Sequence, residues 1–273
     1  MPEINASTQL MAVIGSPIRH SLSPRIQNAF LRSAGLESEY AYLAFDVTPD
    51  TLPAFVAGAR VMGMAGFNVT MPLKERVGPL LDGLDASALN GAVNTVFQRD
   101  GRWIGANTDG KGFVLSLASV PERAMILGAG GSARVIAAAL REAGAAVTVA
   151  SRRPPRWSLD GASPCAWDEF SARLKEHNLL VNATPLGMDG ADKGDFADFG
   201  FLDALPGDAA VYDLVYAPNP TNLLKHAQKR GLTAINGIRH LVSQAALSFA
   251  YFTGQEVPLT VAENITRELE GLL

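Results

Sequence analysis

A glycine-rich turn between a predicted strand and a predicted helix limits the choice of fold more than any other part of the sequence. Gly128, Gly130 and Ala133 form G-x-G-x-x-A directly after the apolar stretch Arg123–Leu127, and a helical stretch and a second strand follow. Such a turn lets the backbone approach a pyrophosphate closely, and the helix N-terminus offers free N–H groups to its anionic oxygens. The strand–turn–helix–strand context predicts a Rossmann-type dinucleotide-binding domain.

The residues that end the second strand indicate which dinucleotide would bind. An NAD site usually has Asp or Glu there for the ribose hydroxyls. This chain instead has Ser151, Arg152 and Arg153, with Arg156 close by. Guanidinium groups bind phosphate through paired hydrogen bonds, so the pattern favours the 2′-phosphate of NADP. The alternative is a solvated basic loop, because arginine is mostly a surface residue.

Strands and helices alternate on both sides of this turn. Strands are predicted over residues 10–14, 40–47, 67–70, 123–127, 147–150, 179–182 and 210–213. Helices are predicted over residues 49–62, 112–118, 132–143, 241–251 and 261–273. A further helix should cover residues 23–34, with Ser23 as its N-cap and Pro24 in its first turn, and another should start at Pro72. This alternation is typical of an α/β fold with a mostly parallel sheet.

Composition and charge exclude several classes of protein. The chain has 273 residues, enough for one large or two modest domains, and its net charge of −4 argues against a nucleic-acid partner. Its apolar runs are far shorter than the roughly 20 residues that span a bilayer, and its N-terminus lacks the pattern of a signal peptide. The single Cys165 excludes an internal disulfide and a multi-cysteine metal site. We therefore expect a cytoplasmic protein without a metal.

The first half of the chain carries four short polar groups in apolar surroundings. They are Ser21 with Ser23, Asn68 with Thr70, Asn94 with Thr95, and the run of Asn107, Thr108 and Asp109. We expect them to converge at the carboxyl ends of parallel strands, where the ligands of such sheets bind. Hydroxyls and amides suit a polyhydroxylated ring, and Lys74 with Asp109 would supply a cation and a carboxylate for proton transfer.

These residues also have simpler explanations. Ser23 could cap a helix, residues 107–110 could form a turn, and a lysine at a helix start, such as Lys74, usually lies on the surface. The residues taken alone leave both explanations open.

Taken together, the motifs resemble those of the shikimate dehydrogenase family over nearly the full length of the chain. The matching segments, in the family's order, are residues 13–18, 20–24, 66–74, 91–95, 105–110, 128–133, 182–188 and 213–216, with Pro218 and Thr221. The resemblance implies a two-domain α/β fold. Residues 1–110 and 239–273 would form the substrate-binding and catalytic domain, to which the C-terminal helices return, and residues 111–238 would form a Rossmann domain that binds NADP.

The resemblance also implies a reaction, the reversible NADPH-dependent reduction of 3-dehydroshikimate to shikimate, with Lys74 and Asp109 as the catalytic pair. Ser21 and Ser23 would bind the substrate carboxylate, and contacts to the ring would come from Asn68, Thr70, Asn94, Tyr216 and Gln244. The cofactor would lie on Gly128, Ala129, Gly130, Gly131, Ser132 and Ala133. Its adenosine phosphate would lie at Ser151, Arg152, Arg153 and Arg156, and its nicotinamide side at Thr184, Leu214 and Gly237. Such a protein would be a monomer or a homodimer.

Three departures from the family pattern leave alternatives open. Ser151 stands where Asn is usual, Pro154 and Pro155 interrupt the NADP loop, and Arg239 with His240 replace the usual Gly and Met. One alternative is a related dehydrogenase that acts on quinate or an amino analogue. Others are a non-catalytic sensor that binds shikimate-like acids and a folate-linked dehydrogenase of similar architecture.

Overall fold

The computed structural model describes residues 4–88, 91–153, 161–189 and 194–272, and the chain divides into two compact units. The first unit comprises Met1–Thr108 and Val242–Ile265, and the second comprises Asp109–Leu241 and Thr266–Leu273. Each unit has its own six-stranded sheet. The predicted α/β class is therefore confirmed.

The first unit has a mixed sheet. Its strands are β1 (Gln9–Gly15), β2 (Tyr40–Asp46), β3 (Gly66–Val69), β4 (Gly83–Leu84), β5 (Thr95–Arg99) and β6 (Arg102–Ala106), in the spatial order β2-β1-β3-β5-β6-β4. Helices α1 (Ser23–Ala34) and α2 (Leu52–Val61) connect the parallel strands β1, β2 and β3. Strand β5 runs antiparallel to both β3 and β6.

Strands β5 and β6 form a hairpin that the sequence patterns did not predict. Its turn contains Asp100 and Gly101, whose φ angles are 53° and 71°. A type I′ turn requires positive φ at both central residues, and Asp-Gly is one of the pairs that adopt it readily. The hairpin brings the start of β5 and the end of β6 beside the end of β3.

The strands of the first unit are buried where they approach its core. Ile14 of β1 and Phe67 of β3 are fully inaccessible to solvent. The Phe67 ring packs edge-on against Phe55 of α2 at 5.3 Å between ring centroids, and it lies 5.4 Å from Trp103 of β6. Burial of such rings stabilises this unit, because each removes a large apolar area from water.

The second unit has a fully parallel sheet. Its strands are β7 (Arg123–Leu127), β8 (Ala146–Ser151), β9 (Ser163–Ala166), β10 (Leu179–Asn182), β11 (Ala210–Asp213) and β12 (Thr233–Asn236), in the order β12-β11-β10-β7-β8-β9. Counted within the unit this is 6-5-4-1-2-3, the strand order of the Rossmann fold, which confirms that prediction. Its helices include α3 (Asp109–Ser116), α4 (Gly131–Glu142), α5 (Phe170–Arg173) and α6 (Asn222–Lys229).

Two further helices, α7 (Ile238–Thr253) and α8 (Leu259–Glu270), each contribute residues to both units. Among the described residues, none of the helices combines the length and the apolar character needed to cross a bilayer.

Two local predictions are wrong. No helix starts at Pro72, because residues 71–77 form successive turns and the Lys74 carbonyl accepts its hydrogen bond from the distant Val93 N–H. Ser23 is not an N-cap either: it is the first residue of α1, and the preceding Leu22 provides no side-chain cap. The Ser21 hydroxyl instead accepts from the Ser23 N–H at 3.3 Å.

Candidate active site

The first unit gathers polar residues at one edge of its sheet. Asn68 of β3 pairs with Thr95 of β5, which in turn pairs with Ala106 of β6. The carboxyl ends of β3 and β6 therefore meet the amino end of β5. The expectation that every polar group follows a parallel strand was wrong for Asn94 and Thr95, which reach this edge because β5 is antiparallel.

Asn94 is the centre of a buried hydrogen-bond network at this edge. Its Oδ1 accepts from the Thr108 N–H at 2.8 Å and from the Thr95 hydroxyl at 2.9 Å. Its Nδ2 donates to Thr108 Oγ1 at 2.9 Å and to Gln244 Oε1 at 3.4 Å. Since Gln244 belongs to α7, the network joins two predicted substrate-binding residues that are distant in sequence.

Asn68 is almost fully buried and is held by side chains that the sequence analysis missed. The Tyr42 hydroxyl donates to its Oδ1 at 2.7 Å, and its Nδ2 donates to Ser248 Oγ at 2.9 Å. Burial raises the pKa of Tyr42 well above its ordinary value, so this hydroxyl remains a donor. Ser248 lies one turn beyond Gln244 on α7, and this spacing of two polar residues in an Ala-rich helix was an available signal.

Thr70 and Lys74 follow β3 at the same edge. The Thr70 N–H donates to the Ile14 carbonyl at 2.9 Å, so the sheet hydrogen bonding continues one residue past β3. Lys74 is half-buried. The hydrogen bond from the Val93 N–H to its carbonyl holds its backbone beside the segment that leads to Asn94. Gly15 is required here, because a Cβ would overlap the Thr70 side chain.

Ser21 and Ser23 lie on the connection between β1 and α1. Both are half-buried. This connection leaves the carboxyl end of β1, which is the neighbour of β3 in the sheet. The structure thus places the two serines at the same edge as Asn68 and Thr70, as the sequence predicted for a ligand-binding edge.

The glycine turn of the second unit has the geometry that a pyrophosphate requires. Gly128 has a φ of 105°, and a Cβ there would lie only 3.0 Å from the Thr184 side chain. A Cβ on Gly130, which precedes α4, would meet no atom of the described residues within 4 Å, so the backbone is open to a ligand. Ala133 is fully buried, which allows α4 to pack closely on the sheet. Gly131 and Ser132 are exposed in the first turn of α4, and Ala129 lies in the loop before it.

A cavity of about 1800 Å³ opens beside this turn. Its lining includes polar and glycine residues, namely Gly128, Gly130, Ser151, Arg152, Arg153 and Thr184, and a group of aromatic residues, namely Trp167, Phe170, Phe196 and Phe201. Both arginines are exposed, and the Ser151 hydroxyl donates to the Arg153 carbonyl at 2.6 Å. Two exposed arginines that line a cavity together with Gly130, which precedes α4, fit the 2′-phosphate and pyrophosphate of NADP. Arg156, Pro154 and Pro155 lie outside the described residues.

A buried carboxylate anchors the loops that follow β10 and β11. Asp213 accepts from Asn182 Nδ2 at 2.8 Å, from the Val215 N–H at 3.0 Å and from the Thr221 hydroxyl at 2.7 Å. Burial raises its pKa from 3.8 to about 6, although these three hydrogen bonds oppose the shift. Asn182 Oδ1 also accepts from the Thr184 hydroxyl at 2.6 Å, so the cluster positions a predicted cofactor residue.

The remaining predicted residues of the second unit lie near this cluster. Leu214 follows Asp213 directly, and a Cβ on Gly237 would overlap the Leu214 carbonyl, so only glycine fits there. Tyr216 is half-buried, and burial raises the pKa of its hydroxyl. Asp109 is buried and is the first residue of α3. Since Lys74 belongs to the first unit and Asp109 to the second, their pairing remains a prediction.

These features define a class of protein. A parallel sheet in the Rossmann order carries the glycine turn, and a cavity beside that turn is lined by two arginines. The other α/β unit carries a row of amides and hydroxyls suited to a polar small molecule. A chain that combines a dinucleotide-binding domain with such a unit is an oxidoreductase that uses a nicotinamide cofactor.

Comparison with known proteins identifies the family. Residues 13–96 match the family described as the shikimate dehydrogenase substrate binding domain. A Synechocystis protein named shikimate dehydrogenase (NADP(+)) is 37% identical, with 96% of each chain covered. The solved shikimate 5-dehydrogenase of Thermus thermophilus, in complex with NADP(H) and shikimate, is 36% identical with a TM-score of 0.83, covering 96% of this chain and 100% of that one. A shikimate dehydrogenase solved with NADP+ is 34% identical with a TM-score of 0.87, covering 97% of each chain. The chain belongs to the shikimate dehydrogenase family.

Proposed function

We propose that this chain catalyses the reversible NADPH-dependent reduction of 3-dehydroshikimate to shikimate, with Lys74 and Asp109 as the catalytic pair. The observation that carries the proposal is the hydrogen-bonded row of amides and hydroxyls centred on Asn94 and Gln244. Such groups offer both donors and acceptors to the hydroxyls of a ring. Membership of the family supports the same reaction.

We assign substrate binding to the first unit. The hydroxyls of Ser21 and Ser23 would donate to the substrate carboxylate, because both lie on the loop at the polar edge of the sheet. The ring would lie against Asn68, Thr70, Asn94 and Gln244, with Tyr216 of the second unit as a further contact. Because the Asn94 network fixes its amides before substrate arrives, little ordering is needed on binding.

We assign the cofactor to the second unit. NADP, when bound, supplies the acceptor of the hydride that leaves the alcohol carbon. The N–H groups at the start of α4 would bind the pyrophosphate, and Arg152 and Arg153 would bind the 2′-phosphate. Thr184, Leu214 and Gly237 would border the nicotinamide, in positions set by the Asp213 cluster.

Lys74 and Asp109 would take part in removing the proton of the reacting alcohol. When the alcohol is oxidised, its hydroxyl proton leaves the oxygen, which gains negative charge, and that charge becomes part of the new carbonyl bond as the hydride leaves the carbon. The Lys74 ammonium would stabilise that charge, and the Asp109 carboxylate would take part in transfer of the proton. In the reverse direction the same two groups would return the proton to the oxygen.

A matrix of steady-state kinetics tests this function. Shikimate and quinate would each be assayed with NADP and with NAD by near-ultraviolet absorbance of the reduced cofactor. We expect the highest kcat/KM for shikimate with NADP. The highest value for quinate would instead identify the related quinate enzyme, and binding of shikimate in calorimetry without turnover would identify a sensor.

We further infer that the protein acts in the cytoplasm on small molecules only, as a monomer or a homodimer. The single cysteine suits a reducing compartment, and the net charge of −4 does not suit nucleic acid. Cell fractionation and light scattering of the purified protein would test these two expectations.

A further inference from the structure

His240 makes a hydrogen bond that the proposed roles do not use. Its Nε2 lies 3.0 Å from the backbone carbonyl of Asp109, so the first turn of α7 contacts the start of α3 within the second unit. A carbonyl can only accept, which means that Nε2 carries the hydrogen. The neutral imidazole can make this bond as the tautomer with hydrogen on Nε2. The protonated imidazole can make it as well, because it carries hydrogen on both nitrogens.

The His240 ring is held in place by aromatic packing. Its ring lies edge-on to Phe113 of α3, with 5.9 Å between ring centroids and an interplanar angle of 75°. Phe113 in turn lies 4.7 Å from the Tyr212 ring of β11. The Tyr212 hydroxyl and Ser116 Oγ are 2.8 Å apart, and Ser116 Oγ donates to the Phe113 carbonyl at 2.6 Å. The imidazole therefore packs within a connected group of side chains and is not a freely rotating surface side chain.

The start of α3 is also held from its other side. Gly110, directly after Asp109, packs so closely on α4 that a Cβ would lie 3.0 Å from Ala139 and 3.1 Å from Val135. The start of α7 is fixed as well, because the Ile238 N–H donates to Asn236 Oδ1 at 2.9 Å. The Asp109 peptide is thus confined by packing against α4 and by a hydrogen bond from α7.

We propose that His240 is a positioning residue for Asp109. Its Nε2–H bond fixes the peptide from which the buried Asp109 side chain projects, and so fixes where that carboxylate meets the reacting alcohol. The inference rests on the proposed catalytic role of Asp109. It adds a residue of α7 that touches the backbone of the catalytic group and sets its geometry.

Two substitutions separate the hydrogen bond from the packing. His240→Met keeps a similar apolar volume but has no donor, whereas His240→Gln places an amide N–H at about the reach of Nε2. His177→Met is the matched control, because His177 is a histidine of the second unit that is also held by hydrogen bonds, from its two ring nitrogens to the Arg173 carbonyl and Thr148 Oγ1. His177 has no contact with Asp109 among the described bonds.

Steady-state kinetics and thermal unfolding of these variants, with Asp109→Asn beside them, test the proposal. Loss of one positioning bond should lower kcat of His240→Met about 3- to 10-fold, with KM for shikimate and for NADP within about twofold. His240→Gln should recover kcat to within about twofold of the wild type. His177→Met should lower the melting temperature yet keep kcat, which shows that general destabilisation does not slow turnover.

Three results would overturn the positioning role: an unchanged kcat in His240→Met, equal losses in the Met and Gln variants, or a loss confined to KM for NADP. These are distinguishable from failure of the proposed function. If Asp109→Asn turns over as fast as the wild type, the catalytic pair is wrong. If Asp109→Asn is slow and His240→Met is not, only the role of His240 is wrong.

Discussion

Replacing Asp213 by Asn should change how the stability of the protein depends on pH. The Asp213 side chain is inaccessible to solvent and accepts hydrogen bonds from Asn182, Val215 and Thr221. Burial nevertheless dominates, and the pKa rises from 3.8 to about 6. Asparagine has nearly the same shape and does not titrate, so the variant isolates the cost of burying this charge.

The direction and size of the effect follow from the two pKa values. Because the pKa of Asp213 is higher in the folded state, its contribution to stability is complete below pH 3.8 and is lost as the pH rises through about 6. The full loss amounts to about 3 kcal/mol, of which about 1 kcal/mol falls between pH 5 and pH 7. The Asp213→Asn variant lacks this loss.

The assay is the free energy of urea unfolding, measured for both proteins at several pH values between 5 and 7. The stability of Asp213→Asn relative to the wild type should rise by about 1 kcal/mol across this window, in addition to any pH-independent difference from a new Asn–Thr221 contact. Asp203→Asn is the control, because Asp203 is exposed and its pKa is lowered by Arg230. Its stability relative to the wild type should not rise with pH. A pH-independent difference for Asp213→Asn would refute the reasoning.

Three further variants test the proposed site. Lys74→Ala should lower kcat by about 10²- to 10⁴-fold, measured by cofactor absorbance, and an unchanged rate would remove Lys74 from the mechanism. Arg152→Ala combined with Arg153→Ala should raise KM for NADP about tenfold or more and leave KM for NAD nearly unchanged, because only NADP carries the 2′-phosphate. Equal effects on both cofactors would contradict that role. Ser21→Ala should raise KM for shikimate several-fold with little change in kcat, since it removes a contact made equally in ground and transition states. An unchanged KM would exclude Ser21 from the carboxylate site.

The second unit was the more predictable part of the fold. Strands β7, β10 and β11 have the predicted bounds because each is a continuous apolar run between turn residues. Strand β9 was missed because Ser163–Ala166 contains Pro164 and mostly exposed residues, a composition tolerated only at a sheet edge. The β5–β6 hairpin was missed although Asp100 and Gly101 are a strong local turn signal.

The candidate site shows where sequence reasoning reaches its limit. Motifs indicated Asn68 and Asn94, and the family resemblance implied Gln244. In the structure Asn68 Nδ2 donates to the Asn94 carbonyl, and Asn94 Nδ2 donates to Gln244 Oε1. Tyr42 and Ser248, which hold Asn68, lie 26 and 180 positions from it in sequence. The spacing of Gln244 and Ser248 could have indicated Ser248 as a polar position, but no local pattern shows that it contacts Asn68. The absence of the predicted helix after Pro72 also depends on a contact distant in sequence. The Lys74 carbonyl accepts a hydrogen bond from the Val93 N–H in place of a helical one.

The turnover rate of the double variant Lys74→Ala/Asp109→Asn tests whether these two residues act as a pair. Residues that act as one unit are strongly non-additive, because the second substitution has little catalysis left to remove. We predict that kcat of the double variant lies within about threefold of the slower single variant. A double variant slowed by the product of the two single effects would contradict the pairing.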